Sequence, residues 1–145
     1  MDLTVFSERL SSLQFDAHIS TTDFGKAIGV SRSTAFALLT GQREPTLDTI
    51  IRIADFFHCY VDYLVGLEIE HYQLTNPTPC PPFKERIPFI CKHFGVTRYR
   101  LVQITQIGRT TINNWSRGDT VPSVENLVKM AKVLNCSVDF IIGRE

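Results

Sequence analysis

The chain has 145 residues, of which 43% are hydrophobic, with fifteen basic and fifteen acidic side chains and four cysteines. No apolar run approaches the ~18 residues a membrane span needs, and the opening Met1-Asp2-Leu3 is not part of a basic n-region followed by an apolar h-region, so neither membrane insertion nor export is expected. A cytoplasmic protein with reduced thiols follows.

Offset by 77, the sequence matches itself without a gap: residues 6–68 and 83–145 share 13 of 63 residues. The shared residues include Phe6/Phe83, Arg9/Arg86, Arg32/Arg109, Gly41/Gly118, Pro45/Pro122, Cys59/Cys136 and Asp62/Asp139, and many other pairs exchange one apolar residue for another, as Leu38/Trp115 does. An apolar pattern kept while identity drifts means two copies of one fold. At that size each copy lies near the lower limit for a core without disulfides or metal, which favours compact helices. Cys59 and Cys136 share a repeat position that suits a small buried hydrophobe.

Five helices are expected per repeat. In the first, Phe6, Leu10, Leu13 and Ala17 recur at helical spacing, as do Phe83, Ile87, Ile90 and Phe94, so one stripe faces a core. The second opens at a hydroxyl cap, Ser20 or Thr97, and runs to about Ala27 or Ile104 with Phe24/Leu101 and Ile28/Thr105 inward. A tight turn follows, Gly29-Val30-Ser31 or Gln106-Ile107-Gly108, and glycine's shift from its first position to its third leaves the second turn's geometry open. The third helix runs from Arg32 to about Leu39, or Arg109 to about Ser116, and ends before Gly41 or Gly118. Thr46 and Ser123 cap a fourth helix with Asp48 or Glu125 in its first turn and Leu47, Ile50, Ala54 and Phe57, or Val124, Leu127, Ala131 and Leu134, inward. A short fifth helix spans about 61–65 and 138–142.

Residues 1–70 carry five basic and ten acidic side chains, residues 83–145 carry ten and five, and the twelve residues between carry none. The repeats, net −5 and net +5, should not treat a polyanion alike. Four prolines in the six residues 77–82 exclude helix and sheet interior. The expected organisation is a first domain over 1–69, a proline-rich, extended, semi-rigid linker over 70–82 and a second domain over 83–145.

Short helix, three-residue turn, helix, glycine, loop, Pro-Ser/Thr and amphipathic helix in that order resemble the Cro and lambda-repressor-like helix-turn-helix family. The second repeat shows this in Ile107-Gly108-Arg109-Thr110-Thr111-Ile112-Asn113-Asn114-Trp115-Ser116-Arg117-Gly118 and Pro122-Ser123-Val124-Glu125-Asn126-Leu127. In the first, Gly29-Val30-Ser31-Arg32-Ser33-Thr34 and Gly41-Gln42-Arg43-Glu44-Pro45-Thr46-Leu47 are as typical. The resemblance covers both repeats and implies an all-α fold of two tandem five-helix domains in a DNA-binding transcriptional regulator.

Within the third helix of the second repeat, Ile112 and Trp115 lie three apart and face the core, so Thr110, Asn113, Asn114 and Arg117 point outward, with Arg109 at the helix start. The resemblance implies that this helix enters the major groove, where arginine suits guanine and asparagine suits adenine. The base-reading candidates are therefore Arg109, Thr110, Asn113 and Asn114, with Arg32, Ser33, Phe36 and Ala37 on the equivalent surface of the first repeat. Arg98 and Tyr99 sit where the family contacts phosphate; Arg117, Thr21, Thr22 and Arg43 complete the phosphate-contacting candidates. Phe36 can pack on a thymine methyl, yet a phenylalanine beside alanine on an exposed face also suits a protein interface. Two readings stay open: the first repeat reads double-stranded DNA more weakly than the second, or it is a homodimerisation or partner-binding module and only the second holds DNA.

No nucleophile motif, phosphate-cradling loop or carboxylate pair is present, so an enzyme is not expected. Cys80, Cys91, His93 and His58 lack the short spacings of a zinc site, and no metal or cofactor is expected.

Overall fold

In a computed structural model describing residues 1–67 and 70–145, the chain forms two compact helical units, Met1–Asn76 and Pro77–Glu145. The expected boundary at 69/70 lies outside the described residues on its first side. Unit 1 comprises α1 (Leu3–Asp16), α2 (Thr21–Ile28), α3 (Arg32–Leu39), α4 (Leu47–Phe57) and α5 (Val61–Val65). Unit 2 repeats the order with α6 (Arg86–Phe94), α7 (Arg98–Thr105), α8 (Arg109–Arg117), α9 (Val124–Leu134) and α10 (Val138–Ile142). One 3-10 turn, Phe83–Glu85, leads into α6 directly after Pro81-Pro82.

Local chemistry sets the helix starts. The hydroxyls of Ser20, Thr46, Thr97 and Ser123 each accept from the backbone N–H three residues on, which satisfies one of the orphan donors there. Ser31 does the same for α3, whereas α8 starts at Gly108 with no side-chain cap. The turn between the second and third helices needs a left-handed residue. Gly29 supplies it at φ 76°, and Gln106 takes the same position at φ 57°, a conformation costing an L-residue roughly 1–2 kcal/mol. Gly108 has φ −59°, so the glycine displaced to the third turn position does not serve this purpose.

The two cores superpose on the repeat. Phe6, Leu10, Phe24, Leu38, Ile50, Ile53 and Leu64 are buried in unit 1, and Phe83, Ile87, Leu101, Trp115, Leu127, Met130 and Ile141 take their places in unit 2. Trp115, 2% exposed, meets the edge of Phe83 with ring centroids 5.9 Å apart. Four expected inward positions are not buried. Ala17 is exposed because α1 stops at Asp16 and the chain turns left-handed at His18. Phe94 and its neighbour His93 form an aromatic cluster with Phe140 rather than a sealed core, and Phe94 is half-buried. Phe57 and Leu134 are likewise half-buried, at the ends of their helices. Of the matched cysteines, Cys59 is buried and Cys136 half-buried.

A matched arginine fastens the first helix to the last in each unit. Arg86 Nε donates to Ile141 O at 2.8 Å, its Nη2 donates to Phe140 O at 2.6 Å, and the guanidinium lies over the Phe89 ring. Arg9 donates to Tyr63 O and covers the Tyr63 ring. These bonds reach carbonyls in the last turn of a short helix, where the intrahelical ladder runs out; Phe140 O and Tyr63 O also accept from Gly143 N and Gly66 N. Unit 2 adds a buried ion pair, Arg144 Nη1 to Asp139 Oδ1 at 2.8 Å, where unit 1 has Leu67 opposite Asp62.

The proline-containing segment is tied down at both ends. Tyr60 N donates to Tyr72 O at 2.8 Å, Leu74 N donates to His58 O at 2.8 Å, and Tyr72 stacks on Tyr63. Thr78 N donates to Arg144 O at 2.9 Å, and Pro81 lies against Gly143.

Candidate nucleic-acid interface

The end of α7 runs through a three-residue turn into α8, and side chains from the start of α7 and the first half of α8 line one surface. Ile112 and Trp115 are buried beneath α8, while Arg109, Thr110 and Arg117 are exposed and Asn113 and Asn114 half-buried. Tyr99 is 69% exposed at the start of α7. A depression of about 310 Å³ between the two helix starts is lined by Arg98, Tyr99, Val102, Arg109 and Asn113. Four of the candidate side chains in this repeat therefore share one concave surface, and Arg98 Nη1 bridges the helices by donating to Asn113 Oδ1 at 3.3 Å. Burial pushes the nearby Cys91 thiol above its ordinary pKa, and the charge of Arg98 opposes that shift.

At the other end of α8, Arg117 donates to Asn114 Oδ1 through Nη2 and pairs with Asp119 Oδ2 through Nε at 3.0 Å. Sequence reasoning placed Arg117 on the surface but missed Asp119, which enters the site from the loop after the helix. Its position two residues from an arginine was the available signal.

Unit 1 offers a less polar version of the same surface. Arg32 and Ser33 are exposed at the start of α3, Phe36 is 50% exposed and Ala37 half-buried. Thr22 is exposed, but Thr21 is half-buried and its hydroxyl accepts from Gln14 Nε2 at 3.4 Å, turning it toward α1. Arg43 lies apart from these in the α3–α4 loop, where it lines a depression of about 230 Å³ together with Ser31, Thr34 and Glu44. An acid thus accompanies the loop base here, and the charge offered to a phosphate is smaller than Arg43 alone would give.

Compared with known proteins, residues 16–64 and 90–141 each match the helix-turn-helix family model, together more than half of the chain. The chain belongs to the helix-turn-helix family, of the Cro and C1 type. Both matched segments contain the pair of helices just described, α2 with α3 and α7 with α8. A relative described as HTH-type transcriptional regulator DicA, from Escherichia coli (strain K12), is 34% identical over 58 residues, or 40% of this chain and 43% of that protein. The chain thus aligns with less than half the length of this relative. No solved structure matches the chain. Helix-turn-helix regulators of this family are non-enzymatic. Among the described residues, no helix is long and apolar enough to cross a membrane.

Proposed function

We propose that this protein is a sequence-specific DNA-binding transcriptional regulator in which α8 of unit 2 enters the major groove and α3 of unit 1 makes a weaker, more apolar contact. The observation that carries this reading is the convergence of Arg98, Tyr99, Arg109 and Asn113 on one exposed surface of a family-matched helix pair. Arg109 and Thr110 project from the first turn of α8, the part of a recognition helix that reaches base edges. Arg98, Tyr99 and Arg117 flank them and supply phosphate contacts that fix register without reading sequence. The net +5 of this half adds long-range attraction to the duplex.

The second reading, that unit 1 binds a partner protein or a second copy of the chain, is favoured by one observation. Phe36, half exposed beside Ala37, stands on a unit whose net charge is −5. Such a surface gains from covering an aromatic ring and is repelled by phosphate at long range. Selection of preferred duplexes from a random pool, with the full chain and with each unit alone, tests both readings. Binding by unit 2 and not by unit 1, with self-association of unit 1, selects the second; a preferred duplex for each unit selects the first; binding by neither refutes both.

A further inference from the structure

The residues between the two units are less free than their composition suggests. On the side of unit 1, Tyr60 N donates to Tyr72 O and Leu74 N donates to His58 O, both at 2.8 Å, and the Tyr72 ring stacks on Tyr63 with centroids 4.4 Å apart. Cys59 and Gln73 form an antiparallel bridge in the middle of that pairing. On the side of unit 2, Thr78 N donates to Arg144 O at 2.9 Å, and Pro81 packs so closely on Gly143 that a β-carbon there would lie 2.8 Å from Pro81 Cδ. Arg144 is itself fixed, being 1% exposed and paired with the buried Asp139 carboxylate. The chain is thus fastened to unit 1 as far as Leu74 and to unit 2 from Thr78 onward. Three residues, Thr75, Asn76 and Pro77, lie between the two anchors.

Four Cα–Cα steps reach at most about 14 Å, against roughly 45 Å for residues 70–82 fully extended. This short bridge is also stiff. Pro77 fixes its own φ, and Asn76, because a proline follows it, is held out of the helical region. A tether makes the second binding event of a two-module chain intramolecular, at a high effective concentration for sites it can reach and almost none for sites it cannot span. Base pairs lie about 3.4 Å apart along the duplex and about ten make a turn. Displacing one half-site by five base pairs therefore moves it roughly 17 Å and to the opposite side of the duplex, which is more than the tether spans. The half-sites are also unlike, because α8 offers Arg109, Thr110, Asn113 and Asn114 where α3 offers Arg32, Ser33, Phe36 and Ala37.

We infer that one chain binds a composite duplex of two unlike half-sites at a single spacing, and that the three-residue tether between Leu74 and Thr78 sets that spacing. The inference rests on the reading in which α3 of unit 1 also contacts DNA. Residues 75–77 read no base; they limit which pairs of sites one chain occupies together.

The test uses the full chain. Selection from a random duplex pool supplies the preferred duplex, footprinting locates its half-sites, and their spacing is then changed one base pair at a time over a full turn. Inserting five base pairs is expected to weaken binding by the wild type about tenfold or more, because the second contact is lost. A variant with twelve Gly and Ser residues inserted between Asn76 and Pro77 keeps both anchors and gains a flexible stretch of about 20 Å mean reach. It should bind the original and the lengthened duplex within about threefold of each other. Thermal melting of this variant, unchanged from the wild type, checks that both units stay folded. A wild type that binds all spacings alike overturns the inference, and so does an extended variant that keeps the spacing preference of the wild type. A selected duplex with one protected half-site refutes DNA contact by unit 1, and this inference with it.

Discussion

Trp115→Ala should unfold unit 2 or bring it close to unfolding. The side chain is 2% exposed and packs edge-on against Phe83, joining α8 to the start of the unit. A buried tryptophan removes roughly 200 Å² from water, worth ~5 kcal/mol at ~25 cal/mol per Å², and alanine retains only a small part of that. Incomplete collapse of the cavity adds to the loss, so ~3–5 kcal/mol is expected. A unit of this size holds roughly 3–10 kcal/mol in total. In a domain this small, each kcal/mol moves the melting midpoint by about 4–8 °C, which puts the shift at roughly 15–30 °C or beyond. The assay is thermal unfolding of residues 77–145 followed by circular dichroism. Because Trp115 is the single tryptophan of the chain, its fluorescence in the unmutated unit reports burial independently. A melt moved by less than about 5 °C, or wild-type emission typical of water, would refute the facing of α8 and with it the assignment of its outward residues.

Arg109→Ala should weaken binding to the preferred duplex by ~1–3 kcal/mol and relax discrimination mainly at one base pair; a uniform loss across sequences would remove its base-reading role. Unit 2 alone should bind duplex with a steep salt dependence and unit 1 alone much more weakly, because phosphate neutralisation releases counterions; equal affinities over a range of salt would contradict the charge argument. Phe36→Ala should weaken one part of the DNA footprint if unit 1 reads DNA, or change sedimentation while leaving the footprint intact if unit 1 is an interface. Arg144→Met should destabilise unit 2 by ~3–5 kcal/mol, since it strips a buried carboxylate of its ion-pair partner, and adding Asp139→Asn should recover part of that loss in the same melt. Residues 83–145 should melt below residues 77–145, because the shorter piece lacks the Thr78 bond to Arg144 and the Pro81 contact with Gly143.

The repeat, the helix order and most helix starts were legible in the sequence, because each rests on local chemistry. A hydroxyl three residues before a free N–H, a glycine at a left-handed ending and an apolar residue every three or four positions act within one or two turns. Ile112 and Trp115 alone sufficed to point Asn113 and Asn114 outward, since helical geometry couples the faces. The family pattern then suggested what such a face does.

Tertiary structure decided what those side chains hold. Whether Asn113 is a free amide or a bound one depends on Arg98, fifteen residues away on another helix, and no periodicity contains that pairing. Asp119 joins the site only because Gly118 folds the chain back over the end of α8. Gln106 adopts a left-handed turn that its side chain disfavours because the helices on either side are each packed into the core. Tyr72 and Leu74 pair with the backbone of Tyr60 and His58 in a short antiparallel bridge around Cys59 and Gln73, a contact that no local pattern in the segment announces. Apart from Asp119, whose partners Arg117 and Asn114 lie within five residues of it, the deciding partner is distant in sequence, and its energy exists only once the helices have packed.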